Sequence, residues 1–133
     1  MSSPFLDTNV LLYLLSGDAV KADRAESLLM AGGVVSVQVL NEAIAVCQHK
    51  LKLSWDEIDL LRQSIQAYCS VQALTPEIQQ EAVAIAKRYQ FSIYDANILA
   101  TALLSGCDRV YSEDMQSGFQ LETLTIVNPF RLS

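Results

Sequence analysis

No apolar run in these 133 residues approaches the roughly 20 needed to span a bilayer. The N-terminus carries no basic segment ahead of an apolar one, so no secretory signal is read there. Histidine occurs once, as His49, which excludes phosphodiester cleavage by a pair of histidines acting as acid and base. The five glycines form neither a G-x-G-x-x-G fingerprint nor a Walker A loop, and no G-x-S-x-G elbow precedes a helix. Cysteine is scarce. Cys47, Cys69 and Cys107 are odd in number and far apart in apolar sequence, so they read as reduced core thiols of a cytoplasmic protein rather than a zinc site or a disulfide frame. Basic residues are outnumbered 9 to 15, a net charge of −6 that lacks the basic footprint of a general nucleic-acid binder. That objection weakens if bound cations neutralise some of the acids.

What is present is apolar. The share of 51% and the mean hydropathy of +0.25 imply a well-filled core, with surface left over for a partner to cover. The length suits one domain spanning residues 1–133. Along it, short β-type runs alternate with longer helical patterns. "PFL" (4–6) predicts a first strand and residues 9–15 a helix. Residues 18–32 show a helical apolar period that stops at two glycines. "VVSV" (34–37) predicts a second strand, with a helix following through residue 50. "SWDE" (54–57) is a capping box opening a helix to about residue 69. "VQAL" (71–74) predicts a third strand, and Thr75–Pro76 supply the N-cap and first residue of a helix to about residue 89. "SIYD" opens a mostly apolar helix ending near Gly106, and "RVYS" and "LTIV" predict the last strands. Such alternation predicts an α/β fold with a parallel sheet covered on both faces.

In a sheet of that kind the ligand crevice lies beyond the carboxyl ends of the strands, at a topological switch point. Asp7 follows the first strand directly, and Asp114 comes just after "RVYS". Asp95 falls in the first turn of its helix, and Glu42 lies inside the helix after the second strand. Each acid also has a plain structural alternative. Asp7 can cap the helix of "TNVLL", and Asp95 can close a capping-box variant with Ser92. Glu42 can mark the outer face of its helix, Asp114 can be a loop residue, and Glu113 beside it reads as solvated. Four carboxylates gathered without a cation would repel, by roughly 3 kcal/mol per pair at 5 Å and an effective dielectric of 20. A divalent cation removes the conflict, and ligands that are all oxygen suit Mg²⁺ or Mn²⁺. A strand-end Asp7 could instead be a phosphoryl-transfer nucleophile, but Asn9 occupies the place where a second acid would be wanted. His49 reads as a solvated residue at a helix end.

The stretches "FLDTNVLLYLL", Glu42, "SIYDANILATALLSGCDRVYSEDMQSG" and "LTIVNPF" together resemble the PIN domain over essentially the whole chain. Among its members the sequence is most similar to the toxins of VapBC-type toxin–antitoxin pairs. The resemblance implies a three-layer α/β/α sandwich with a central parallel sheet of about five strands. It implies a Mg²⁺- or Mn²⁺-dependent ribonuclease centred on Asp7, Glu42, Asp95 and Asp114, with Thr8 and Ser112 at positions where a hydroxyl helps arrange the site. Hydrolysis of RNA by water would leave a 5′-phosphate and a 3′-hydroxyl. An antitoxin that wraps the toxin, and a homodimer, are the partners it implies. Asn97 stands where such toxins more often carry an apolar residue, and at two residues from Asp95 it is predicted to face elsewhere. The alternative from a different class is a PIN-like protein of weak or no catalytic activity acting as an interaction module. Helices 18–32 and 54–70 would then offer a groove to a partner's amphipathic helix.

Overall fold

Residues 2–131 are described by a computed structural model. Phe5–Leu6 form β1, and Asp7 turns the chain straight into α1 (Thr8–Leu12), which tightens into a 3-10 turn over Tyr13–Leu15. α2 (Ala19–Ala31) starts at Asp18, whose carboxylate accepts from the N–H groups of Val20 and Lys21. β2 (Gly33–Ser36) runs into α3 (Val37–His49), and α4 (Trp55–Tyr68) into β3 (Cys69–Gln72). Then come α5 (Pro76–Tyr89), α6 (Ile93–Leu104), β4 (Arg109–Tyr111), β5 (Gln120–Leu121) and β6 (Leu124–Val127).

The strands form one sheet in the order β3-β2-β1-β4-β6-β5. The first five are parallel, as the alternation of elements predicts, and helices pack around them in the α/β/α arrangement. Chain order reverses between β1 and β4, which places the switch point at their carboxyl ends. β1 is wholly buried, and Val110 at the middle of β4 is, like Phe5 and Leu6, fully shielded from solvent. α6 packs on β2, β4 and β6, and buries Ala96, Ile98, Leu99, Ala100, Thr101 and Ala102. Each large apolar side chain so buried contributes about 1.5–3 kcal/mol. A helix apolar on nearly every side has to lie inside, and an acid in its first turn therefore stands out.

β2, β3 and β5 depart most from the sequence reading. β2 begins and ends one residue earlier than "VVSV", because the Ser36 hydroxyl caps the Val39 N–H at 3.2 Å and draws Val37 into α3. The early start depends on glycine: a Cβ at Gly33 would lie 2.7 Å from the Pro4 carbonyl oxygen, against which the strand is laid. β3 starts at Cys69, the C-cap of α4, and not at Val71, since its register pairs Cys69 with Gly33. β5 is a two-residue strand antiparallel to β6, missed because its tight turn uses Glu122 at a φ of 54° where glycine or asparagine would have signalled it.

Candidate active site

Asp7 is where β1 stops. Its own N–H still donates to the Tyr111 carbonyl of β4 at 3.0 Å, so its backbone is locked into the sheet while its side chain leaves it. One carboxylate oxygen accepts from the Thr8 N–H at 2.7 Å and caps α1. The other accepts from the Ser112 hydroxyl at 2.8 Å and from the Asn9 side-chain amide at 3.3 Å. The capping role and the site role are therefore held by different oxygens of one side chain. Ser112 is wholly buried, and its oxygen also accepts from the Met115 N–H at 3.2 Å, so its single proton is directed at Asp7. Asp7 is 6% exposed. Burial raises its carboxyl above the ordinary value, the Ser112 and Thr8 donors oppose that, and the charges of Glu42 and Asp95 add to it.

Glu42 enters from α3. One oxygen accepts from the Thr8 hydroxyl at 3.1 Å, the other from Gln38, one turn earlier on the same face, at 3.0 Å. Gln38 also donates to the Tyr94 carbonyl at 3.4 Å, joining α3 to the start of α6. Asp95 is half-buried in the first turn of α6, where the Ser92 hydroxyl caps its N–H at 3.1 Å. Its carboxyl is raised by burial first, then by the charges of Glu42 and Asp114, with Ser92 opposing. Asp114 is exposed, and the Asn9 amide that reaches Asp7 also donates to it at 3.2 Å. The Asn9 carbonyl accepts from the Glu113 N–H at 3.1 Å, which fixes the amide's orientation.

All four acids line one cleft of about 260 Å³ at the switch point, together with Thr8, Asn9 and Tyr94. A larger cavity of about 360 Å³, with apolar walls including Leu12, Leu15 and Val46, adjoins it and shares Asn9 and Asp114. Among the described residues no three His, Cys, Asp or Glu side chains form a ready-made metal cage. The carboxylates of Asp7, Glu42 and Asp114 accept hydrogen bonds from neutral donors. The donor set nevertheless fits a hard divalent cation, being carboxylate throughout with neither thiolate nor imidazole.

Two residues of this network, Asn9 and Gln38, are given no role in the site by the sequence reading, which weighs Asn9 only as the missing second acid of a phosphoryl-transfer pair. Gln38 is detectable in principle, at the i−4 position facing Glu42. Asn9 has no such signal, because its second partner is more than 100 residues away. Glu113 is not left to solvent: Lys21 donates to it at 2.8 Å, and the Tyr13 hydroxyl donates to its other oxygen. His49 is exposed at the end of α3 and does not line the cleft. Asn97 faces a separate cavity beside Thr75 and Gln79, as its spacing from Asp95 predicts.

A sequence profile described as PIN domain matches residues 5–118. No curated protein sequence matches the chain. Among solved structures, a toxin–antitoxin complex from Klebsiella pneumoniae superposes with a TM-score of 0.75 at 20% identity, covering 98% of this chain and 100% of that one. VapC20 of Mycobacterium tuberculosis, described as a toxin cleaving the sarcin–ricin loop, gives 0.68 at 22% identity over 84% of this chain and 90% of that one. FitAcB from Neisseria gonorrhoeae gives 0.68 at 19% identity over 96% and 99%. At these identities the likeness is one of fold.

Proposed function

The chain belongs to the PIN domain family, and from that premise we propose that it is a divalent-metal-dependent ribonuclease, the toxin of a toxin–antitoxin pair acting in the cytoplasm. The observation that carries this reading is the meeting of Asp7, Glu42, Asp95 and Asp114, from four separate segments, in one cleft at the switch point. Mg²⁺ or Mn²⁺, when bound, supplies Lewis acidity to the scissile phosphate and to the attacking water. The four carboxylates would hold it. Ser112 and Thr8 each direct a proton at one of these carboxylates, Asp7 and Glu42, and so aim the free lone pairs into the cleft. Asn9 keeps Asp7 and Asp114 within reach of one another.

Asp7→Asn is the direct test. Asparagine caps a helix as well as aspartate does, so the variant should melt as a folded protein while RNA cleavage falls on the order of a thousandfold. EDTA should abolish cleavage by the unaltered chain, and Mn²⁺ should restore it. Cleavage that survives both would end the reading. Support for a protein partner comes from Val20 (79% exposed) on α2 and Leu60 (66%) on α4, apolar side chains on helices that pack on each other.

A further inference from the structure

The cleft is lined by four acids and by no lysine or arginine. Several of the cations elsewhere are already committed: Lys21 to Glu113, Arg62 to Asp59, Arg109 to Asp108, and Arg24 to the Pro129 carbonyl. On a chain of net charge −6, the lining of the cleft itself offers no side-chain cation to a phosphate. What the cleft does offer is one aromatic ring. Tyr94 directly precedes Asp95 and is 67% exposed, although its backbone is tethered through Gln38 to the helix bearing Glu42. The other aromatic residue near the acids, Tyr13, is already occupied. Its hydroxyl donates to Glu113, the Lys21 ammonium sits 4.5 Å from its ring centroid, and Phe130 packs edge-on at 4.7 Å.

We propose that Tyr94 is a stacking platform for a nucleobase beside the scissile phosphate, a positioning residue that holds the RNA by a base as well as by its backbone. This rests on the ribonuclease reading above. A base inside a duplex has both faces covered, whereas an unstacked base in a loop or single strand can lie on an aromatic ring. Every base has such a face, so the contact demands no particular sequence. It also places the neighbouring phosphate near Asp95, because Tyr94 and Asp95 line the same cleft.

The test uses the full chain with Mn²⁺, a short random-sequence single-stranded RNA and the same RNA annealed to its complement. Tyr94→Ala should raise KM for the single strand roughly 5- to 150-fold, the range expected for losing one base–aromatic contact, with kcat changed little. Tyr94→Phe keeps the ring and should stay within about twofold of the unaltered chain. The duplex should be a poor substrate for all three proteins, and KM should change far less between about 50 and 200 mM salt than for a binder that neutralises many phosphates. The proposal is overturned by an unchanged KM in Tyr94→Ala, by equal losses on single strand and duplex, or by a Tyr94→Phe as impaired as Tyr94→Ala. A change in oligomeric state on sedimentation of Tyr94→Ala would equally overturn it, by assigning the ring to a protein interface. Cleavage lost in Asp7→Asn but indifferent to Tyr94→Ala would sink this inference alone. RNA left uncut by the unaltered chain would sink both.

Discussion

A carboxylate that is 6% exposed between β1 and α1 is tolerable only because every part of it is used. Asp7 receives donors from Thr8, Ser112 and Asn9, so its burial is offset by hydrogen bonds even before any cation is considered. Asp95 is less well provided for, since it carries the repulsion of Glu42 and Asp114 and has only Ser92 in opposition. For both acids the folded value lies above the unfolded one, so the fold holds their protons more tightly than the unfolded chain does. Their contribution to stability is complete below the unfolded value and is lost as pH rises through the raised folded value. In metal-free protein at neutral pH, Asp95→Asn should therefore raise the melting temperature, because the charge opposed by Glu42 and Asp114 is removed. It should abolish cleavage at the same time, the exchange of stability for function usual at such sites. A melting temperature that falls on this substitution would show that the helix N-terminus favours the charge by more than the neighbouring acids oppose it.

At the scale of elements, most of the fold was legible because caps and periods have local causes. "SWDE" forms its capping box with both reciprocal bonds, and Thr75–Pro76 start α5 as their chemistry requires. The strand edges were less legible, because register belongs to pairs of strands: Cys69 is in β3 because Gly33 faces it. The acids showed through for a related reason, since a charge at a strand end or in an apolar helix has a reason to be there that an uncharged amide does not announce. Asn9 and Gln38 therefore emerged only once the chain was folded. Asn97 is the element-scale exception worth testing. Its side-chain carbonyl is buried in α6 without a hydrogen-bond partner among the described residues, next to a cavity with room for an apolar replacement. Asn97→Leu removes the unsatisfied group and improves helix propensity, so it should stabilise the protein by about 1 kcal/mol in thermal or urea melts. RNA cleavage should be unaltered, because Asn97 does not line the acid cleft. A loss of stability would mean that the carbonyl has a partner in solution.

At the scale of the whole molecule, charge and apolar surface are separable. The acidic cleft lies where β1 and β4 end, and its charge should be titratable as a unit. Added Mn²⁺ should raise the melting temperature, more at about pH 7.5 than at about pH 5, because a cation competes with protons for the same carboxylates and two of these hold their protons unusually well. A rise of equal size at both values would place the cation elsewhere. The apolar surface lies on other elements. Val20 and Leu60 project from α2 and α4, outside the cleft, and bury too little to matter to folding. Replacing both with aspartate should leave the melting temperature within a degree or two and leave RNA cleavage intact, since exposed substitutions of this kind stay within about 0.5 kcal/mol. If the proposed antitoxin docks on these helices, the same double variant should fail to retain it when the two are co-expressed and purified. Retention with unchanged stoichiometry would move the partner's footprint off these helices, whereas a loss of cleavage would mean that catalysis and docking share a surface.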